Sequence, residues 1–175
     1  MKRIMTALSL SALLVIPTMG GNVIASESAE LSLERNVTEN YEVDFGKWPT
    51  SDLSSEIELS LNVPTNSFSS QGFDFKSLAT GKTKLSSSDS EVKSTGTTKG
   101  KTLSTVVSAT TGLFKDGEGL GESDKAIAIG KLTATAEKSY FSNKWKKNKF
   151  EGVTVHTATY DGILYDDASA DKFVK

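Results

Sequence analysis

Apolar positions recur with period two along most of the chain. Between Glu27 and Val37, Ala29, Leu31 and Leu33 share one face while Glu30, Ser32 and Glu34 share the other; Arg35 interrupts the apolar face and Val37 resumes it. Such alternation predicts a half-buried strand. Tyr41, Val43 and Phe45 form a second short alternating run, closed by Gly46 and Pro49. Residues 56–63 repeat the device, with Ile57, Leu59, Leu61 and Val63 inward, and Pro64 stops that strand. Phe73 and Phe75 give another inward pair.

The texture then changes. Sixteen of the 32 residues from Thr80 to Thr111 are Ser or Thr, and no aromatic residue lies between Phe75 and Phe114. Residues 80–100 read as long surface loops or a polar hairpin. Residues 102–110 read as a strand, because threonine and valine suit a pleated surface. Residues 116–124 form a Gly-rich acidic turn. Ile127 and Ile129 share a face, as do Leu132, Ala134 and Ala136, but the parity slips by one at Gly130-Lys131. A one-residue slip turns every side chain over, so a β-bulge is expected there. The stretch from Gly152 to Tyr165 alternates again, and one continuous terminal strand is favoured over a hairpin turn at Asp161-Gly162. Residues 166–175 are expected to be a fraying polar tail.

After the first residues, no segment sustains helical periodicity for more than about three turns. About seven to nine short strands with frequent Gly, Ser and Asn breaks predict an all-β, antiparallel, immunoglobulin-like β-sandwich. The expected organisation is a signal peptide over 1–25, an extended arm over 26–37, the sandwich over 38–165 and the tail over 166–175. The signal reading rests on Lys2 and Arg3, the apolar stretch from Met5 to Val15, the breakers Pro17, Gly20 and Gly21, and Val23-Ile24-Ala25 as the cleavage site. The apolar run is short for a span of about 20 residues, so no integral membrane segment is expected after cleavage.

Composition narrows the chemistry. The chain has 175 residues, 20 basic and 22 acidic, and removal of Lys2 and Arg3 leaves 18 basic residues. That balance argues against a nucleic-acid partner. With no cysteine and one histidine, disulfide scaffolds, thiolate zinc sites, cysteine nucleophiles and two-histidine mechanisms are excluded. A cysteine-free exported chain reads more easily as bacterial than animal.

Few residues suggest a reaction. His156 lies inside an alternating strand with no Gly-x-Ser-x-Gly elbow in the chain, and reads as a surface histidine. Asp116, Glu118, Glu122 and Asp124 could offer oxygens to calcium, but their spacing is not that of an EF-hand, and a solvated turn is the better reading. No catalytic residue, metal or cofactor is expected, and the chain is not expected to be an enzyme. The candidate ligand site is the basic patch of Lys144, Trp145, Lys146, Lys147 and Lys149, where an indole among ammonium groups suits a glycan, a lipid surface or a protein. The arm offers a second use. An exposed alternating strand can join another chain's sheet, with Ala29, Leu31, Leu33 and Val37 as plugs. Its other reading is the first strand of its own sandwich.

The signal, the arm straight after it, the Ser/Thr-rich β body and the late run Thr157-Ala158-Thr159-Tyr160-Asp161-Gly162-Ile163-Leu164 together resemble bacterial fimbrial (pilus) subunits. The likeness is one of style across the mature chain. It implies an incomplete sandwich completed by a neighbour's arm, self-association into a polymer, a periplasmic chaperone and usher, and a host glycan or protein receptor. The disulfide of many such subunits is absent, and the chain runs about ten residues past the late strand. The resemblance implies an exported surface structural protein involved in adhesion. The alternative is a monomeric secreted module that binds through the Lys/Trp patch.

Overall fold

A computed structural model describes residues 24–48, 52–61, 77–142 and 147–175. The signal region before Ile24, the Phe73/Phe75 pair and Lys144, Trp145 and Lys146 lie outside the described residues. The described chain runs α1 (Ile24–Asn40), a short 3-10 turn (Phe45–Lys47), β1 (Glu56–Ser60), β2 (Ser77–Ser87), β3 (Glu91–Gly100), β4 (Val106–Lys115), β5 (Glu118–Glu122), β6 (Ala126–Ile129), β7 (Thr133–Phe141), β8 (Lys149–Tyr160) and β9 (Ile163–Val174). All pairings are antiparallel. The first sheet has the order β1-β2-β3-β7. In the second, β4 lies between β8-β9 and an edge split in two, with β6 on one end of β4 (Val106↔Ile129) and β5 on the other (Lys115↔Glu118). The expected all-β sandwich is therefore present.

The Ser/Thr-rich stretch is the polar hairpin β2-β3. Its inward residues are small or hydroxylated: Gly81, Thr83, Ser94, Gly96 and Thr98 are buried, while Lys82, Lys84 and Lys99 face solvent. Two apolar clusters close the ends of the interior. One contains Leu59, Leu78, Val107, Ala109, Ala134 and Ala158. The other contains Leu85, Val92, Leu113 and Phe150, with Phe150 and Phe173 ring centroids 5.8 Å apart.

Several expectations need correction. The strand expected over Glu27–Val37 is α1, a helix that joins neither sheet. Its buried residues Glu34 and Thr38 are one helical turn apart, with half-buried Leu31 and Tyr41 in line at i−3 and i+7 from Glu34. The helical period is thus carried largely by polar residues, which a count of apolar positions passes over. Tyr41, Val43 and Phe45 do alternate in burial with exposed Glu42 and Asp44, but they form no ladder. They cover Val153, Val155, Ala168 and Ala170 on the second sheet as part of an outer layer.

The parity slip at Gly130 is a change of sheet rather than a bulge. β6 pairs with β4 in the second sheet and β7 with β3 in the first, and Gly130 makes the corner with φ +73°. Asp161-Gly162 is a hairpin turn, with φ of 53° and 70°, and not the middle of one strand. Two consecutive positive φ values are what a two-residue hairpin loop requires, and Asp-Gly supplies them at low cost. Residues 166–174 consequently belong to β9, paired with β8 as far as Val174, instead of fraying.

Candidate functional site

His156 is fully buried, so its reading as a surface residue is overturned. It sits in a polar belt between the two apolar clusters. Thr98 Oγ1 donates to the Ser108 carbonyl at 2.7 Å and lies 2.7 Å from His156 Nδ1. Ser169 Oγ lies 2.8 Å from His156 Nε2 and 2.6 Å from Thr83 Oγ1. With the Thr98 proton spent on a carbonyl, the ring donates from Nδ1 and accepts at Nε2 from Ser169. Burial pushes the imidazole pKa down to about 3, so the ring is neutral at physiological pH. A serine beside a histidine nitrogen could serve nucleophilic chemistry, but Ser169 and His156 are both sealed from solvent and Thr98, not a carboxylate, orients the ring. The belt is a staple joining β2 and β3 to β8 and β9.

Of the basic patch, Lys147 and Lys149 are described and exposed. The Lys149 backbone N–H donates to Asp116 Oδ1 at 2.8 Å, and Asn148 exchanges backbone hydrogen bonds with Lys175. These contacts place the patch's end beside the β4-β5 turn and the last strand.

The arm residues lie on α1. Ala29 is exposed, Leu31 and Val37 are half-buried, and Leu33 is 57% exposed. What holds α1 to the second sheet is mostly polar. Glu34 Oε1 accepts from the Asp161 N–H at 2.7 Å, and Thr38 Oγ1 meets Thr159 Oγ1 at 2.6 Å. Lys125, between β5 and β6, donates to the carbonyls of Thr38 (3.2 Å), Glu39 (3.3 Å) and Tyr41, and its ammonium sits 5.7 Å from the Tyr41 ring centroid. A cation on the last carbonyls caps the helix and complements its dipole. Tyr41 Oη donates to Asp166 Oδ2 at 2.6 Å; burial first, and that bond second, push the phenol's pKa up. Desolvation lowers the pKa of Lys125.

Beside α1 an open groove of about 460 Å³ is lined by Arg35, Ile127, Ala128, Ile129, Leu132 and Thr133. Among the described residues β6 pairs only with β4. In the sequence Thr38 and Lys125 carry no assigned role, Glu34 reads as the polar face of a strand and the β6 corner reads as a bulge. The spacing of Leu31, Glu34, Thr38 and Tyr41 was the available signal. Among the described residues no cluster of three or more His, Asp or Glu side chains could hold a metal, and no helix is long and apolar enough to cross a membrane. The chain matches no protein-family model, no curated protein and no solved structure.

Proposed function

We propose that this chain is an exported bacterial surface structural protein, a fimbrial-type subunit that self-associates by strand addition through residues 26–37 and serves adhesion. The observation that carries this reading is that α1 belongs to neither sheet of its own sandwich. Both sheets are built without the arm, so its use as the first strand of its own fold falls away, and an arm held to the second sheet by a few polar anchors supports its use by another chain. The groove of Ile127, Ile129 and Leu132, beside a strand that pairs only with β4 among the described residues, suits an added strand, whose backbone supplies affinity and whose alternate side chains fill the groove. In this use α1 unwinds, and Ala29, Leu31 and Leu33 regain the one-sided spacing that their sequence carries.

Light scattering of residues 26–175 tests the reading against the double variant Leu31→Glu/Leu33→Glu. The expected result is large species for the parent and monomer for the variant, with similar melting temperatures because Leu33 is exposed and Leu31 half-buried. Parent and variant equally monomeric would overturn it.

A further inference from the structure

We propose that α1 is a releasable latch, clasped to the second sheet by the buried carboxyl group of Glu34. The latch stands on the packing of α1; that it withholds the assembling segment rests on the reading given above.

Three features set α1 apart from the sandwich. It buries a glutamate, 1% exposed, where a permanent core helix buries leucine, while its own Leu33 is 57% exposed. Its anchors are individually separable: Glu34 on the β8-β9 turn, Thr38 on Thr159, and Lys125 on the C-terminal carbonyls. Its removal leaves every strand pairing intact. A segment held by few apolar contacts opens locally at a small fraction of the global unfolding free energy.

The clasp at Glu34 is half-satisfied. Oε1 accepts from Asp161 N–H, whereas Oε2 is buried without a partner among the described residues. Burial without a partner costs a carboxylate more than a protonated carboxyl group. The groups around it reinforce this. Glu30 on α1 and Asp161 in the β8-β9 turn repel a charge at Glu34, and the Asp161 and Gly162 backbone amides offset only part of the burial. The facing β6 (Ala126–Ile129) contributes no ionisable group, nor do the β4 residues from Val106 to Thr111. Arg35 is engaged with Glu39 at 2.7 Å, Asp166 with Tyr41, and Lys125 with the far end of the helix. Burial therefore raises the carboxyl pKa above 4.5 in the docked state. The docked state then holds a proton that the open state releases. Docking is strongest below pH 4.5 and weakens as pH rises through the docked pKa. Acid closes the latch and neutral pH loosens it.

Hydrogen exchange with mass spectrometry at about pH 4 and about pH 7, corrected for intrinsic rates, tests this, with β4 and β8 amides as the internal control. Within the titration window the opening constant of residues 29–40 is expected to rise by up to about tenfold per pH unit. Glu34→Gln keeps the acceptor oxygen and cannot ionise; its α1 protection is expected to be the same at both pH values. A wild-type α1 whose opening ignores pH, or a Gln variant with the wild-type response, would overturn the latch. Lys125→Met guards against a Gln variant that does not fold. It is expected to open α1 at both pH values with β4 and β8 still protected, and joint loss of protection would count against the proposal. Light scattering of the same samples reports on assembly separately, so a working latch with no polymer would remove only the assembly reading.

Discussion

His156 and Glu34 are both buried titratable groups, and they respond to acid in opposite ways. The folded pKa of His156, about 3, lies below its ordinary 6.5, so the folded state binds fewer protons than the unfolded chain. Stability is full above pH 6.5 and is lost as pH falls toward 3, on the order of 1.4 kcal/mol per pH unit in that window. Urea midpoints measured from about pH 7 to about pH 4 should fall steeply in the parent and more shallowly in His156→Asn, which has no proton to gain. Glycines in the first sheet are set by the same belt. A Cβ at Gly81 would lie 2.6 Å from the His156 ring, and one at Gly96 would lie 2.3 Å from Thr154 Cγ2. Gly81→Ala should cost about 1–3 kcal/mol, read as a lower urea midpoint with unchanged slope. The burial of His156 was not legible in the sequence because Thr154, Thr157 and Thr159 surround it. Polar neighbours on both faces look like solvent exposure, whereas here one face meets a hydroxyl belt and the other an outer layer of α1, residues 41–48 and Leu53.

At the scale of elements, apolar alternation located β1, and the Ser/Thr-rich stretch left loops and a polar hairpin open, of which the hairpin is what forms. Ile57 and Leu59 on β1 face inward as their spacing requires. The sandwich class followed from such segments. α1 was misread because helix and strand signals compete within it: Ala29, Leu31 and Leu33 have period two, and Leu31, Glu34, Thr38 and Tyr41 have the helical period. The outcome was decided by contacts distant in sequence, at Thr159, Asp161 and Lys125, which no local pattern contains. The corner at Gly130 and the Asp161-Gly162 turn show the same limit. A parity slip says that faces exchange, but whether by bulge or by change of sheet depends on which strands pair. In the two-residue loop Asp161-Gly162, a side chain at Gly162 is disfavoured by its φ of +70°. Gly162→Val should therefore cost about 1–2 kcal/mol in thermal or urea unfolding, while a residue within a continuous strand would gain from valine.

The molecule as a whole manages its sheet edges unequally. Along one side, Ser55 O accepts from Thr83 N and Ser54 O accepts from Ala170 N, both at 2.9 Å, so residues 54–55 bridge the two sheets. On the other side the first sheet ends in β7, where half-buried Lys138 follows Ala134 and Ala136 on the inward face. An inward-pointing charge discourages unplanned edge pairing. The β6 corner carries no such charge on its strand. Of the proposed site, the apolar spacing of the arm was legible in the sequence, and its acceptor was not, because β6 becomes an edge only when the chain changes sheets at Gly130. The most direct measurement of the central claim is immunogold electron microscopy of producing cells beside cells carrying Leu31→Glu/Leu33→Glu. The account predicts labelled polymers on the parent surface and dispersed label without polymers in the variant. Label confined to the cell interior, or identical non-polymeric label in both strains, would contradict it.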